Sequence, residues 1–179
     1  MTVINRGLPE YELYADDART LALTLLRCVG QLSGGAEAPG ENDTPGAQCL
    51  GKYTFHYAFY PHTGSWKDAR SWEQARSFNL PVRAIQADRH IGHLPASHSF
   101  ITLEPSELVL SAVKKAEDSD TLVVRFYNTT DREIQGKIAI AGAKSLHLAN
   151  LNEEIQKSLD RRRTFQVGPK KIVTVIAAF

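Results

Sequence analysis

The sequence predicts an all-β, antiparallel, β-sandwich-like fold with one short helix. Three observations predict it: apolar residues alternate in many short runs, turn-forming residues separate those runs, and a single stretch carries clear helical spacing. Alternation puts successive side chains on opposite faces of a strand. Each run therefore reads as a strand with one face on a core and the other toward water.

In residues 20–25 every second position is leucine, and a strand is expected there. Residues 33–48, SGGAEAPGENDTPGAQ, are dominated by glycine, proline and small polar residues and read as a long loop. Residues 53–59 place Tyr53, Phe55, Tyr57 and Phe59 at alternate positions, which predicts another strand. A helix is predicted over residues 66–77. Ser65 caps it, Asp68 completes a shortened capping box, and Trp66, Ala69, Trp72, Glu73 and Arg76 recur near helical spacing. Asn79-Leu80-Pro81 stops it, because the residue before proline avoids helical backbone angles. Further strands are predicted at residues 99–103, 107–113, 121–127, 134–140, 145–149, 163–167 and 171–177. In 134–140, Ile134, Gly136, Ile138 and Ile140 point one way and Gln135, Lys137 and Ala139 the other. The last strand is rich in β-branched residues, which suit a pleated surface. Asp118-Ser119-Asp120, Asn128–Asp131 and Gly168-Pro169 supply turns, and Glu153–Leu159 is a second candidate turn of helix. Residues 1–179 read as one β domain, with a candidate sub-boundary near 98–105.

Composition narrows the function. With 42% hydrophobic residues the chain can bury a core, and a formal charge of +1 offers no basic surface for nucleic acid. Two cysteines are too few for a disulfide scaffold; Cys28, in the run Leu25–Val29, is expected as a buried thiol. No apolar stretch approaches the roughly 18 residues of a membrane helix, so no membrane partner is expected. Residues 1–10 contain a charge and a proline where a signal peptide needs an apolar core, so a cytoplasmic location is expected.

Motifs for chemistry are sparse. His90, His93 and His98 cluster in a Gly/Pro-broken segment without HExxH or CxxC spacing, so they read as solvent-facing loop residues, and no metal is assigned to them. There is no GxSxG elbow and no phosphate-binding glycine loop. Glycoside hydrolysis needs two carboxylates flanking the bond, and Glu10, Glu12, Asp16 and Asp17 do not stand out as such a pair. Arg161-Arg162-Arg163 reads as a solvated edge that discourages edge-to-edge pairing. Trp66, Trp72, Tyr57 and Tyr60 could stack on sugar rings, but their setting favours core packing.

Several strings, in order and in spacing, resemble the C-terminal region of family 38 glycoside hydrolases, the α-mannosidases and mannosylglycerate hydrolases. They are Asn5–Glu12 (NRGLPEYE), Leu23–Gly30 (LTLLRCVG), Thr44–Cys49 (TPGAQC), Phe55–His62 (FHYAFYPH) and Val124–Thr130 (VRFYNTT), with Asn150–Glu154 before a final Ile/Val strand. The resemblance implies a retaining enzyme acting on terminal α-linked mannose, with an aspartate nucleophile and one zinc ion in an N-terminal catalytic domain. None of that domain's motifs occurs in this sequence. The chain is then expected to be a non-catalytic C-terminal β domain, a fragment that holds no catalytic residue, metal or cofactor of its own. Its expected partners are the catalytic domain of the same polypeptide and the α-mannoside, and it admits a homo-oligomer. The family's β region can lend an arginine to the substrate cleft, and Arg27 matches that position; an edge-strand arginine in a surface salt bridge is the alternative reading of the same residue. The 33–48 loop lacks the Arg-Asp pair that the family carries nearby, so the resemblance carries over no contact beyond Arg27. Tyr11 and Glu12 fall in the family's GLPEYE string, as candidates for a wall of the domain junction or, the reading their setting favours, as strand and turn structure. Two other roles stay open: an independent carbohydrate-binding module, and a purely structural or oligomerisation domain.

Overall fold

The computed structural model describes residues 1–31 and 44–179. Residues 33–43 of the glycine-rich loop lie outside these; its last residues, Pro45–Gln48, form a 3-10 turn. The chain divides into two compact units, Met1–Asp88 and Arg89–Phe179.

The second unit is the sandwich. One sheet has five strands in the order β10-β9-β12-β7-β6, all antiparallel: β6 (Leu108–Lys115), β7 (Leu122–Asn128), β9 (Ser145–Ala149), β10 (Ile155–Ser158) and β12 (Ile172–Ala178). The other sheet, β11-β8-β5, is made of β5 (Ile101–Glu104), β8 (Ile134–Ile140) and β11 (Thr164–Val167). Strand β8 alternates perfectly, with Ile134, Gly136, Ile138 and Ile140 buried and the residues between them exposed. These side chains meet Val124, Phe126, Leu146 and Val175 from the larger sheet in one core, and Phe126 and Phe165 pack with centroids 5.5 Å apart. Burying each such side chain contributes roughly 1.5–3 kcal/mol. Strand β12 is buried on both faces. Val175 and Ala177 point into the sandwich, while Ile176 joins Val123 and Ala116 in a smaller cluster.

A polar pin closes one end of this unit. Asn128 is fully buried. Its Nδ2 donates to the carbonyls of Arg132 (2.8 Å), Gly168 (2.9 Å) and Val167 (3.2 Å). Its Oδ1 accepts from the Thr130 N–H and hydroxyl, both at 2.8 Å. A buried amide satisfied on every side ties two turns to the strand ends they follow.

The first unit is built from pairs of strands. Strand β1 (Thr2–Arg6) pairs with β4 (His56–Tyr60), and β2 (Tyr11–Leu13) pairs with β3 (Leu21–Leu23). Helix α1 (Ser71–Asn79) packs on β1 and helps to cover Ile4. The Thr2 hydroxyl bonds Ser71 Oγ at 2.8 Å and His62 Nε2 at 2.9 Å, and Arg6 reaches the Phe78 carbonyl.

Four expectations need correction. The helix starts at Ser71, not 66. The Ser65–Asp68 capping box does form, but it closes a turn, and Arg70 in the left-handed region (φ 49°) separates that turn from α1. Residues 155–158 are strand β10, not helix, because pairing with β9 captures them. Cys28 is exposed rather than buried, since residues 24–29 carry no regular structure and none of them joins a core cluster among the described residues. The alternating leucines and aromatics of 20–25 and 53–59 form shorter strands than their runs, β3 and β4, and much of their apolar face is open. Tyr57 is 49% and Phe59 62% exposed, and Trp66 is exposed as well.

Candidate functional site

A cleft of about 420 Å³ lies in the first unit, lined by the backbone and side chains of residues 6–10, 24–27, 54 and 55. Local sequence explains its shape. Gly7 turns the chain after β1 with φ +71°, a value at which a side chain would be strained. Asn5 Oδ1 accepts the Leu8 N–H at 3.2 Å, and Leu8 is buried, so the GLPE string is anchored at its second residue. The Glu10 carbonyl then accepts the Thr24 N–H at 3.1 Å, one step beyond the β2–β3 ladder. This bond holds the two cleft walls side by side.

It also sets Glu10 opposite Arg27. Arg27 Nη1 donates to Glu10 Oε1 at 3.3 Å, while the Arg27 side chain remains 75% exposed. An exposed single-contact ion pair contributes at most about 1 kcal/mol, so it does little for the fold. It engages one Nη1 of a planar fork whose other N–H groups can serve hydroxyls or a carboxylate. Arg27 therefore sits on the cleft, three residues beyond the Glu10–Thr24 backbone bond and paired with one carboxylate.

Tyr11 and Glu12 do not join Arg27 there. They lie on β2, opposite Leu23 and Ala22 respectively, and so face opposite sides of that hairpin. Tyr11 is 67% exposed and shares its face with Leu13, Leu21 and Leu23. A second concavity of about 350 Å³ escaped sequence reasoning. Met1, Val3, Leu21, Leu23, Leu25, Tyr57 and Phe59 line it, with Arg19 as the charged residue among them. The alternating runs did signal it, but alternation reports which side chains share a face and not whether anything covers that face.

The histidines of the Gly/Pro-broken segment are all exposed, and His98 stacks edge-on with Phe100. Among the described residues no group of three or more His, Cys, Asp or Glu side chains is placed to hold a metal ion. The donor set for the family's zinc does not fit these residues. Of the tripled arginines, Arg163 donates to the Ala143 carbonyl at 2.9 Å and Arg161 and Arg162 face solvent. No helix among the described residues is long and apolar enough to cross a membrane.

Residues 107–175, most of the sandwich unit, match the glycosyl hydrolases family 38 C-terminal beta sandwich domain. Over 181 aligned residues the chain is 29% identical to a putative mannosylglycerate hydrolase of Halalkalibacterium halodurans, covering 98% of this chain and 19% of that protein. It is 38% identical over 81 residues to Alpha-mannosidase 2C1 of Homo sapiens, covering 43% of this chain and 8% of the relative. A crystal structure of a glycosyl hydrolase family 38 protein from Enterococcus faecalis superimposes with a TM-score of 0.80 at 32% identity, over 97% of this chain and 20% of that one. The chain spans about a fifth of the length of the relatives that cover nearly all of it.

Proposed function

This chain belongs to family 38 of the glycosyl hydrolases, as its C-terminal β region, and we propose that it works as a non-catalytic accessory to a catalytic domain that hydrolyses terminal α-linked mannose. In this reading it supports that domain and lends Arg27 to the wall of its substrate cleft, while Tyr11 and Glu12 lie at the junction. The observation that carries the reading is the placement of Arg27: on a cleft, paired with Glu10, with most of its fork exposed. Such a fork can bind two sugar hydroxyls at once, or the carboxylate of a mannosylglycerate-type substrate.

The chemistry belongs to the partner. Zinc and the nucleophile belong, in this reading, to the catalytic domain. What this chain supplies is orientation. Hydrogen bonds that form only to the correctly seated sugar raise kcat/KM by positioning.

A carbohydrate-binding module would be expected to offer a flat aromatic platform. The exposed pair Tyr57 and Phe59 meets edge-on, at 82°, which does not make one plane. The test is turnover of a chromogenic α-mannoside, by the chain alone and by the chain joined to its catalytic domain. Turnover is expected only in the joined form, and Arg27→Ala is expected to lower kcat/KM by roughly tenfold or more, about 1.4 kcal/mol. Arg27→Lys should restore little, since an ammonium cannot replace a fork. Unchanged activity in Arg27→Ala would favour a purely structural role. Turnover by the chain alone would overturn the accessory reading.

A further inference from the structure

The first unit carries an apolar face that no other described residue of that unit covers. In β1–β4, Val3 lies opposite Phe59 and Asn5 opposite Tyr57, so Val3, Tyr57 and Phe59 share one side. Ile4 points to the other side, where α1 packs. In β2–β3, Tyr11 lies opposite Leu23 and Leu13 opposite Leu21, so all four share a side as well. The two patterns converge. Val3, Leu21, Leu23, Tyr57 and Phe59 line the same trough, and Tyr11 extends it along the second hairpin. Single exposed apolar residues are ordinary, but a contiguous face of leucines and aromatics marks an interaction surface. Large aromatics with few charges make up the centre of such surfaces.

Resting on the accessory reading above, we propose that this face is the docking surface for the catalytic part of the same polypeptide, and that the trough receives an apolar ridge from it. The share of the relatives outside the match argues for that occupant. Proteins aligned with nearly all of this chain extend about five times its length, so a large body of the same molecule is available to cover the face. The charge pattern agrees. Arg19 is the charged side chain lining the trough, so the ridge should bring a carboxylate or carbonyl to its rim. A contact centred here would also set the Arg27 cleft, in the same unit, at a fixed place on the catalytic part.

Hydroxyl-radical footprinting tests this. Labelling of Tyr57 and Phe59 is compared between the chain alone and the chain joined to its catalytic part, with Tyr127 and Ile155 of the sandwich unit as internal references. The expected result is at least a fivefold loss of labelling at Tyr57 and Phe59 in the joined form, with the reference residues unchanged. Phe59→Asp, read by sedimentation of the chain alone, should leave it folded and monomeric, since Phe59 is not part of a core. In the joined form the same substitution should restore labelling at Tyr57. If the joined form turns over substrate while Tyr57 and Phe59 label as strongly as before, the docking face is wrong and the accessory reading stands. If the joined form shows no turnover, the accessory reading falls and this proposal with it. If the chain alone sediments as a dimer with Tyr57 and Phe59 protected, the occupant is a second copy and the proposal is overturned.

Discussion

Replacing Asn128 by aspartate changes one atom's chemistry at the most tightly satisfied polar position of the sandwich. The amide nitrogen serves three carbonyls, those of Arg132, Gly168 and Val167, while the amide oxygen accepts two bonds from Thr130. An aspartate keeps the second set and inverts the first, setting an oxygen against three carbonyl oxygens. About two donor bonds are lost at roughly 1 kcal/mol each, and at least one buried carbonyl is left without a partner at a further ~1–3 kcal/mol. The total is roughly 3–5 kcal/mol at neutral pH. Burial and the facing carbonyls would raise the carboxyl's folded pKa above its unfolded value near ~3.9. The sign follows. Below about pH 4 the group is protonated in both states, and its O–H can donate to one carbonyl, so the penalty is smallest there. As pH rises toward the folded pKa, stability relative to wild type should fall by about 1.4 kcal/mol per pH unit. Urea denaturation at pH 7 and near pH 4 reads this, with wild type as reference at each pH. Far-UV circular dichroism is the probe, because both tryptophans, Trp66 and Trp72, lie in the other unit. With a slope of about 2 kcal/mol per molar urea, the midpoint at pH 7 should drop by roughly 1.5–2.5 M. Asn128→Ala should show a penalty that does not depend on pH. An Asn128→Asp variant within about 0.5 kcal/mol of wild type at pH 7, or one whose penalty grows on acidification, would refute the reasoning.

Two further perturbations test local packing and charge. Gly136→Ala places a Cβ 2.5 Å from Phe165 Cε2 and 2.9 Å from Leu108 Cδ1, inside a core where neither side chain can move freely. Overpacking should cost about 1–3 kcal/mol, more than the ~0.4–1 kcal/mol gained from a stiffer unfolded chain, and Phe165→Leu in the same chain should recover part of it in a denaturation cycle. Asp68 accepts from the Ser65 hydroxyl and N–H, which hold its carboxyl below the usual value. Its stabilising contribution is therefore present above the unfolded carboxylate pKa and lost as pH falls through the lower folded one, so Asp68→Asn should flatten the acid limb of a tryptophan-fluorescence unfolding profile.

The sandwich was legible in the sequence because its strands bury alternate residues against each other. In β8 the inward set of Ile134, Gly136, Ile138 and Ile140 could be read directly, and β9 has the predicted limits. Period two specifies a strand wherever one face meets a core, and in this unit both sheets do. The site was legible less directly. Arg27 stands out by family resemblance, and a surface salt bridge is one reading of it, but its partner Glu10 is not legible, because their approach depends on a backbone bond between Glu10 and Thr24 across the hairpin.

The same periodicity misled where no core exists. Leu21, Leu23, Tyr57 and Phe59 alternate as core residues do, yet they line an open trough. Local pattern also lost to local geometry at Arg70, whose left-handed backbone splits the predicted helix, and to pairing at Ile155–Ser158. The order of residues alone carries the strand class, the inward faces of the sandwich and the likeness to family 38. Folding settles which apolar faces are covered, which carboxylate pairs with Arg27 and where the helix begins. Those depend on long-range neighbours, and no run of a few residues encodes what will be packed against it.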